Sequence, residues 1–265
     1  MNSIVRILLI LGLLVGAVVG ATLVYKRSAP DAIPSSGGES NTVAAKASDE
    51  PDEIQLTESF RTALVALQEG REDDALAIFE STLVSSPDYT RALQQMGVIY
   101  SRRGELEKAL DTMLQLTANR PNDPETHALM GWVLYLAERY RDAEISALRV
   151  LELDPNHLAT RYNLGLYRTA QNRTQEAVTT YIRAMKSDPT GAQVMSHRER
   201  LTAYHDAHTD RPSAHYLLAF FAQSMKDPES EIVELEHFLE LTPAGAEADN
   251  ARTQLERARA TINGD

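Results

Sequence analysis

Residues 90–123 read TRALQQMGVIYSRRGELEKALDTMLQLTANRPND. The apolar positions in this stretch recur at three- and four-residue steps: Leu93, Met96, Gly97 and Tyr100, then Leu106, Ala109, Leu110, Met113 and Leu116. That is the period of two amphipathic helices in succession. Pro121 closes the pair, because proline lacks an N–H and disfavours helix at the residue before it. One such hairpin cannot bury its own apolar faces, so it calls for neighbours of the same kind.

The neighbours are present. Windows of the same length begin at Leu56, Thr90, Pro124 and Leu158, dividing 55–191 into repeats at 56–89, 90–123, 124–157 and 158–191. The eighth place holds Ala63, Gly97, Gly131 and Gly165, the twentieth Ala75, Ala109, Ala143 and Ala177, and the thirty-second Pro87, Pro121, Pro155 and Pro189. Proline is only 11 of 265 residues, so four in register with four alanines is not chance. Small residues at places eight and twenty are expected to let paired helices cross with backbones nearly touching. Place twenty-four (Phe79, Met113, Ala147, Tyr181) is expected to fill the space between hairpins, together with place twenty-eight.

After Gly191 the register breaks. Residues 192–208 read as a polar helix, and Arg211-Pro212 restarts the chain. A degenerate hairpin over 213–241 follows, with Glu231 where alanine belongs, so looser packing is expected there. Ala248, Ala251, Leu255, Ala258 and Ile262 then form one apolar stripe, and 192–265 is read as degenerate hairpins plus a terminal capping helix.

A helix–turn–helix period with small, alanine and proline columns resembles the tetratricopeptide repeat. The resemblance implies an all-α fold, a right-handed α-solenoid of helical hairpins, whose first helices line a concave groove that binds other polypeptides. Carried over place by place, the groove residues include Phe60 and Leu64 in the first repeat and Gln94, Val98 and Arg102 in the second. The third supplies Trp132 and Tyr135, and the fourth Tyr162 and Leu166. Trp132 either docks a partner or packs between hairpins. The Lys and Asn pattern by which some family members clamp a terminal carboxylate is missing, since those places carry Phe60, Leu64, Gln95, Glu125 and Leu129. An apolar peptide or amphipathic helix is therefore the expected occupant.

Ahead of the repeats, residues 7–25 run without a charge, about 28 Å of helix and close to a hydrocarbon core of roughly 30 Å. Arg6 precedes the run and Lys26 and Arg27 follow it. Residues 1–27 are read as a transmembrane signal anchor in preference to a cleaved signal peptide. The repeats are expected outside the cytoplasm, in the periplasm of a bacterial inner membrane, because a short N-terminal tail is easily retained inside; a cytosol-facing scaffold is the alternative. Gly12, Gly16 and Gly20 share one face, suited to a homodimer contact, although glycine is frequent in membrane helices generally. Residues 28–54, rich in Ser, Gly, Pro and acids, read as a flexible linker.

Composition narrows the chemistry. With 26 Lys plus Arg against 38 Asp plus Glu, the formal charge is −12, which disfavours nucleic acid. Without cysteine there is no disulfide framework, thiolate metal site or thiol nucleophile. No P-loop, dinucleotide fingerprint, HExxH or nucleophile elbow is found, so no catalytic residue, cofactor or metal ligand is assigned. The rival reading is a metal-binding or enzymatic protein using 197–215, where His197, His205, His208 and His215 cluster in sequence. These histidines are expected at the solvated surface. The leading expectation is a membrane-tethered scaffold, not an enzyme, that holds a segment of another envelope protein during assembly, secretion or cytochrome maturation.

Overall fold

The structure is a computed structural model that describes residues 51–264, with side chains from Gln55 onward. The expected anchor, its glycine face and most of the expected linker lie outside the described residues. Among the described residues no helix is long and apolar enough to cross a membrane.

Twelve helices and no strand are described. They are α1 (Pro51–Gln68), α2 (Glu72–Ser85), α3 (Thr90–Arg103), α4 (Leu106–Asn119), α5 (Pro124–Leu136), α6 (Tyr140–Leu153), α7 (Leu158–Ala170) and α8 (Thr174–Lys186). After these come α9 (Val194–Ala207), α10 (Pro212–Ser224), α11 (Pro228–Leu241) and α12 (Ala246–Asn263). The end of the expected linker is thus helical, with Pro51 at the first helical position, where its missing N–H costs nothing. The chain divides into two compact units: residues 51–171 with Thr180–Ser187, and Asn172–Thr179 with 188–264.

Three of the four column prolines act as read: Ser86, Arg120 and Asp154 each precede a proline and each ends a helix, with φ of −139°, −135° and −130°. Before Pro189 the helix ends earlier, at Lys186, while Thr242 ahead of Pro243 in the degenerate hairpin ends its helix with φ of −133°. A further column emerges at place fifteen, in the turn inside each hairpin. Gly70, Gly104, Glu138 and Asn172 have φ of 76°, 72°, 57° and 56°. Lys226, at the same place counted from Pro212, has φ of 59°, so the degenerate hairpin keeps the repeat's backbone. The left-handed turn reverses the chain whichever side chain occupies it. Only glycine adopts it without strain, which is why Glu138 and Lys226 carry no sequence signal.

In the first unit successive helices pack on one another, and the first helices also touch across hairpins, α3 with α5 and α5 with α7. The small columns are fully interior: Ala63, Ala75, Ala109, Ala143 and Ala177 are all 0% exposed. What they admit differs from the expectation. A Cβ on Gly97 would lie 2.0 Å from Met113 Cε, and one on Gly165 only 2.8–2.9 Å from three atoms of the Tyr181 ring. At these positions the room is taken by the side chain of place twenty-four, not by a crossing backbone. At Gly131 an added Cβ would instead meet Ser146 Cβ at 3.3 Å and the Ala143 backbone carbonyl oxygen at 3.4 Å.

The two kinds of neighbour give opposite mutational outcomes. Met113 Cε is the end of a flexible chain and can swing aside, while alanine gains about 1 kcal/mol of helix propensity over glycine. Gly97→Ala is therefore expected to leave stability within about 1 kcal/mol of the parent. The Tyr181 ring is 0% exposed and cannot retreat. Gly165→Ala is expected to cost about 1–3 kcal/mol despite the same propensity gain, read as the difference in urea midpoints.

In the second unit α9 packs on α10, α10 pairs with α11, and α11 receives α12. The polar-looking α9 buries a stripe of its own, His197, Leu201 and Tyr204. The expected looser packing around Glu231 is not found, because α10 and α11 meet as extensively as the regular hairpins. Glu231 is buried at 6% exposure and accepts a hydrogen bond from Gln223 Nε2 at 3.0 Å. Burial raises its pKa above the ordinary carboxylate value. The α12 stripe is buried from Ala248 to Ala258, but Ile262 is 48% exposed. Helical period alone cannot tell where a neighbouring helix stops.

Candidate functional site

Nine residues are expected to line the groove, and the structure sorts them into three kinds. Phe60, Leu64, Gln94, Val98, Trp132 and Tyr135 are half-buried on α1, α3 and α5. Their remaining surface is reachable from solvent. Tyr162 and Leu166 are 0% exposed and belong to the interior of their unit. The Tyr162 ring lies 6.2 Å from that of Tyr181, so its contact is the chain's own core. Arg102 is exposed but engaged: its Nη2 donates to Glu72 Oε1 at 2.7 Å, while Arg103 pairs with Glu72 and Asp73. The last turn of α3 thus meets the acidic first turn of α2, each charge suiting the helix end it occupies.

The half-buried set centres on an aromatic step. Tyr135 stacks between Trp132, at 5.3 Å and 29°, and the buried Tyr167, at 5.4 Å and 27°, with Tyr140 at 5.8 Å. A ring held on one side by a buried neighbour has little rotamer freedom left to lose on binding. At the other end Phe60 rests against Phe79 and Tyr89, and the Arg91 guanidinium stands 6.0 Å from its centroid.

Polar groups behind this surface are satisfied internally. Glu144, 8% exposed, accepts from Arg168 Nε and Gln171 Nε2, both at 2.9 Å, and Arg168 Nη1 donates to Thr180 Oγ1 at 2.7 Å. His157 caps α7 by accepting from the Thr160 N–H through Nδ1. Its Nε2 donates to Glu125 Oε1 at 3.2 Å, which holds its pKa above the ordinary histidine value against the effect of burial. These groups read as structural, joining each repeat to the next.

The histidine stretch is not a solvated surface. His197 is 1% exposed and His215 5% exposed. His208 stacks on Tyr204 at 4.4 Å with its Nδ1 2.9 Å from the Tyr204 carbonyl, so it does not join His205 as a pair. His205 of α9 instead meets His215 of α10, ring centroids 4.4 Å apart and nearly perpendicular, together with Glu234 of α11. Sequence spacing grouped His205 only with the other histidines of 197–215. Glu234 was missed because it lies on a different helix, far along the chain.

The geometry defines a class: an all-α helical-repeat protein presenting a half-exposed apolar and aromatic surface on the first helices of its repeats. Family models of the tetratricopeptide repeat match residues 66–133 and 128–192. The chain contains tetratricopeptide repeats, a class of protein–protein interaction scaffold. Superkiller complex protein 3 of Mus musculus is 31% identical over 133 residues, 48% of this chain and 8% of that protein. The chain thus spans only a small part of this curated relative. Among solved structures, a tetratricopeptide repeat protein of Parabacteroides merdae superposes with a TM-score of 0.51 at 14% identity, covering 78% of this chain and 85% of that one. The C-terminal part of a repeat protein of Cytophaga hutchinsonii gives 0.50 at 18% identity, covering 74% and 72%. These likenesses concern the fold.

Proposed function

We propose that the protein is a membrane-tethered scaffold whose repeat domain holds an apolar segment or amphipathic helix of another envelope protein. The observation that carries this reading is the Trp132–Tyr135 step, half exposed and backed by the buried Tyr167. Tryptophan and tyrosine dominate binding hot spots when they stand rigid at the centre of a contact surface. Phe60, Leu64 and Val98 extend that surface along α1 and α3 with apolar chains, which suits an extended or helical apolar ligand better than a charged tail.

The tether and the compartment rest on sequence. The uncharged run 7–25 supports insertion in a membrane, and the residues up to Pro51 supply a spacer. A reporter fused after Asp265, active only in the periplasm, is expected to report that side. An envelope location fits roles in assembly, secretion or cytochrome maturation.

The docking claim is tested by in-cell photocrosslinking from position 135, followed by identification of the trapped protein. Trp132→Ala is expected to weaken binding of that protein by about 1–3 kcal/mol with helicity unchanged. Unchanged affinity together with lost helicity would make Trp132 a packing residue and remove the central anchor of the surface.

A further inference from the structure

The second unit holds a cluster that the scaffold reading does not use. His205 on α9, His215 on α10 and Glu234 on α11 each offer one ligand atom, and these atoms lie within 4.8 Å of one another. Three helices that the chain reaches separately converge on one point.

The surrounding hydrogen bonds decide where the lone pairs point. Asp206 Oδ1 lies 3.1 Å from His205 Nδ1, so that nitrogen carries the proton and donates. His205 Nε2 is then a lone pair; it is buried and has no hydrogen-bond partner among the described residues. A buried acceptor without a donor is destabilising unless something electropositive meets it. On His215 the Thr209 carbonyl oxygen lies 3.2 Å from Nε2, so Nε2 donates there. That leaves His215 Nδ1 facing Glu234 Oε2 at 2.8 Å, two electron-rich atoms that need a cation between them, either a proton or a metal. A proton answers for the His215–Glu234 pair but leaves His205 Nε2 unmet. A metal answers for all three.

We propose that His205 Nε2, His215 Nδ1 and a Glu234 carboxylate oxygen form a three-ligand site for a divalent transition metal of the zinc type, clasping α9 to the α10–α11 hairpin. Two imidazoles and one carboxylate are a borderline donor set that suits Zn²⁺ over Mg²⁺ or Ca²⁺. Both imidazoles already show the support that metal-bound histidines need: the second ring nitrogen donates to a carboxylate in one case and to a backbone carbonyl in the other. In a tetrahedral site ligand atoms stand about 3.4 Å apart, so small side-chain rotations close the present spread. Three protein ligands leave a fourth position for water or for a side chain from a docked protein. The site lies in a different unit from the aromatic step, so it stands or falls independently of the docking surface.

The test uses the full-length chain, stripped with chelator and titrated with Zn²⁺ and Co²⁺. One equivalent should bind, with Co²⁺ developing the visible bands of a low-coordinate site and Zn²⁺ raising the thermal midpoint as its concentration grows. Losing an outer-shell partner of a metal commonly costs 10–100-fold in affinity, so loss of a ligand in His205→Ala or the near-isosteric Glu234→Gln should cost about 100-fold or more. His208→Ala, off the site, should bind as the parent does. Absence of saturable binding in the parent, or full binding in both ligand variants with native helicity, would overturn the site and leave a proton-bridged His215–Glu234 pair.

Discussion

Replacing Tyr162 by alanine is expected to cost about 3–5 kcal/mol, the range for removing a fully buried aromatic side chain. The ring is 0% exposed, packs 6.2 Å from Tyr181, and shares its pocket with Gly165, whose missing Cβ makes room for the same Tyr181 ring. Repeat arrays lose cooperativity when one unit is weakened. The loss should therefore show as an early, partial helical transition in urea, ahead of the main one. Trp132→Ala provides the contrast, since its half-exposed ring should change stability far less. A Tyr162→Ala protein as stable as the parent would mean that the fourth repeat contributes little to the array.

Acidification gives the second large effect. His197 is 1% exposed on the buried stripe of α9; burial, with Arg200 nearby as the lesser cause, lowers its pKa from 6.5 to about 3. The sign follows from where protons bind. Between pH 6.5 and about 3 the unfolded chain takes up a proton at this residue and the folded chain does not. The stability tied to neutral His197 is therefore complete above pH 6.5 and is lost progressively as pH falls towards 3. At about 1.4 kcal/mol per pH unit, the full window removes about 5 kcal/mol. Urea unfolding across this range should show the slope. In His197→Leu that slope should shrink by about 1.4 kcal/mol per pH unit, whatever the variant does to stability at neutral pH. Identical slopes in parent and variant would mean that His197 is charged in the folded protein.

Much of the fold was legible. Columns of alanine and proline at fixed spacing act through the backbone of their own hairpin, so the C-terminal stops before Pro87, Pro121 and Pro155 could be placed by counting. The turn at place fifteen was less legible, because two of its five residues are glycine and the others adopt a left-handed conformation without advertising it. Exposure at the groove places was not legible, because whether a side chain at place five or nine meets solvent depends on what packs over it. Phe60 and Leu64 keep exposed surface, whereas Tyr162 and Leu166 at the same two places have none. Arg102, read as a groove residue, is held by Glu72 of the preceding hairpin.

Sequence by itself determined the helical period, the register of the hairpins and the residues that must be small, because each follows from interactions within a few turns of chain. Tertiary structure alone decided which side chain occupies the room beside each glycine, which aromatic rings stay at the surface, and that His205, His215 and Glu234 share one point. Those outcomes depend on the relative placement of helices that are separate in the chain. A one-dimensional repeat specifies which face each helix turns inward, but leaves open which individual atoms on facing helices will meet.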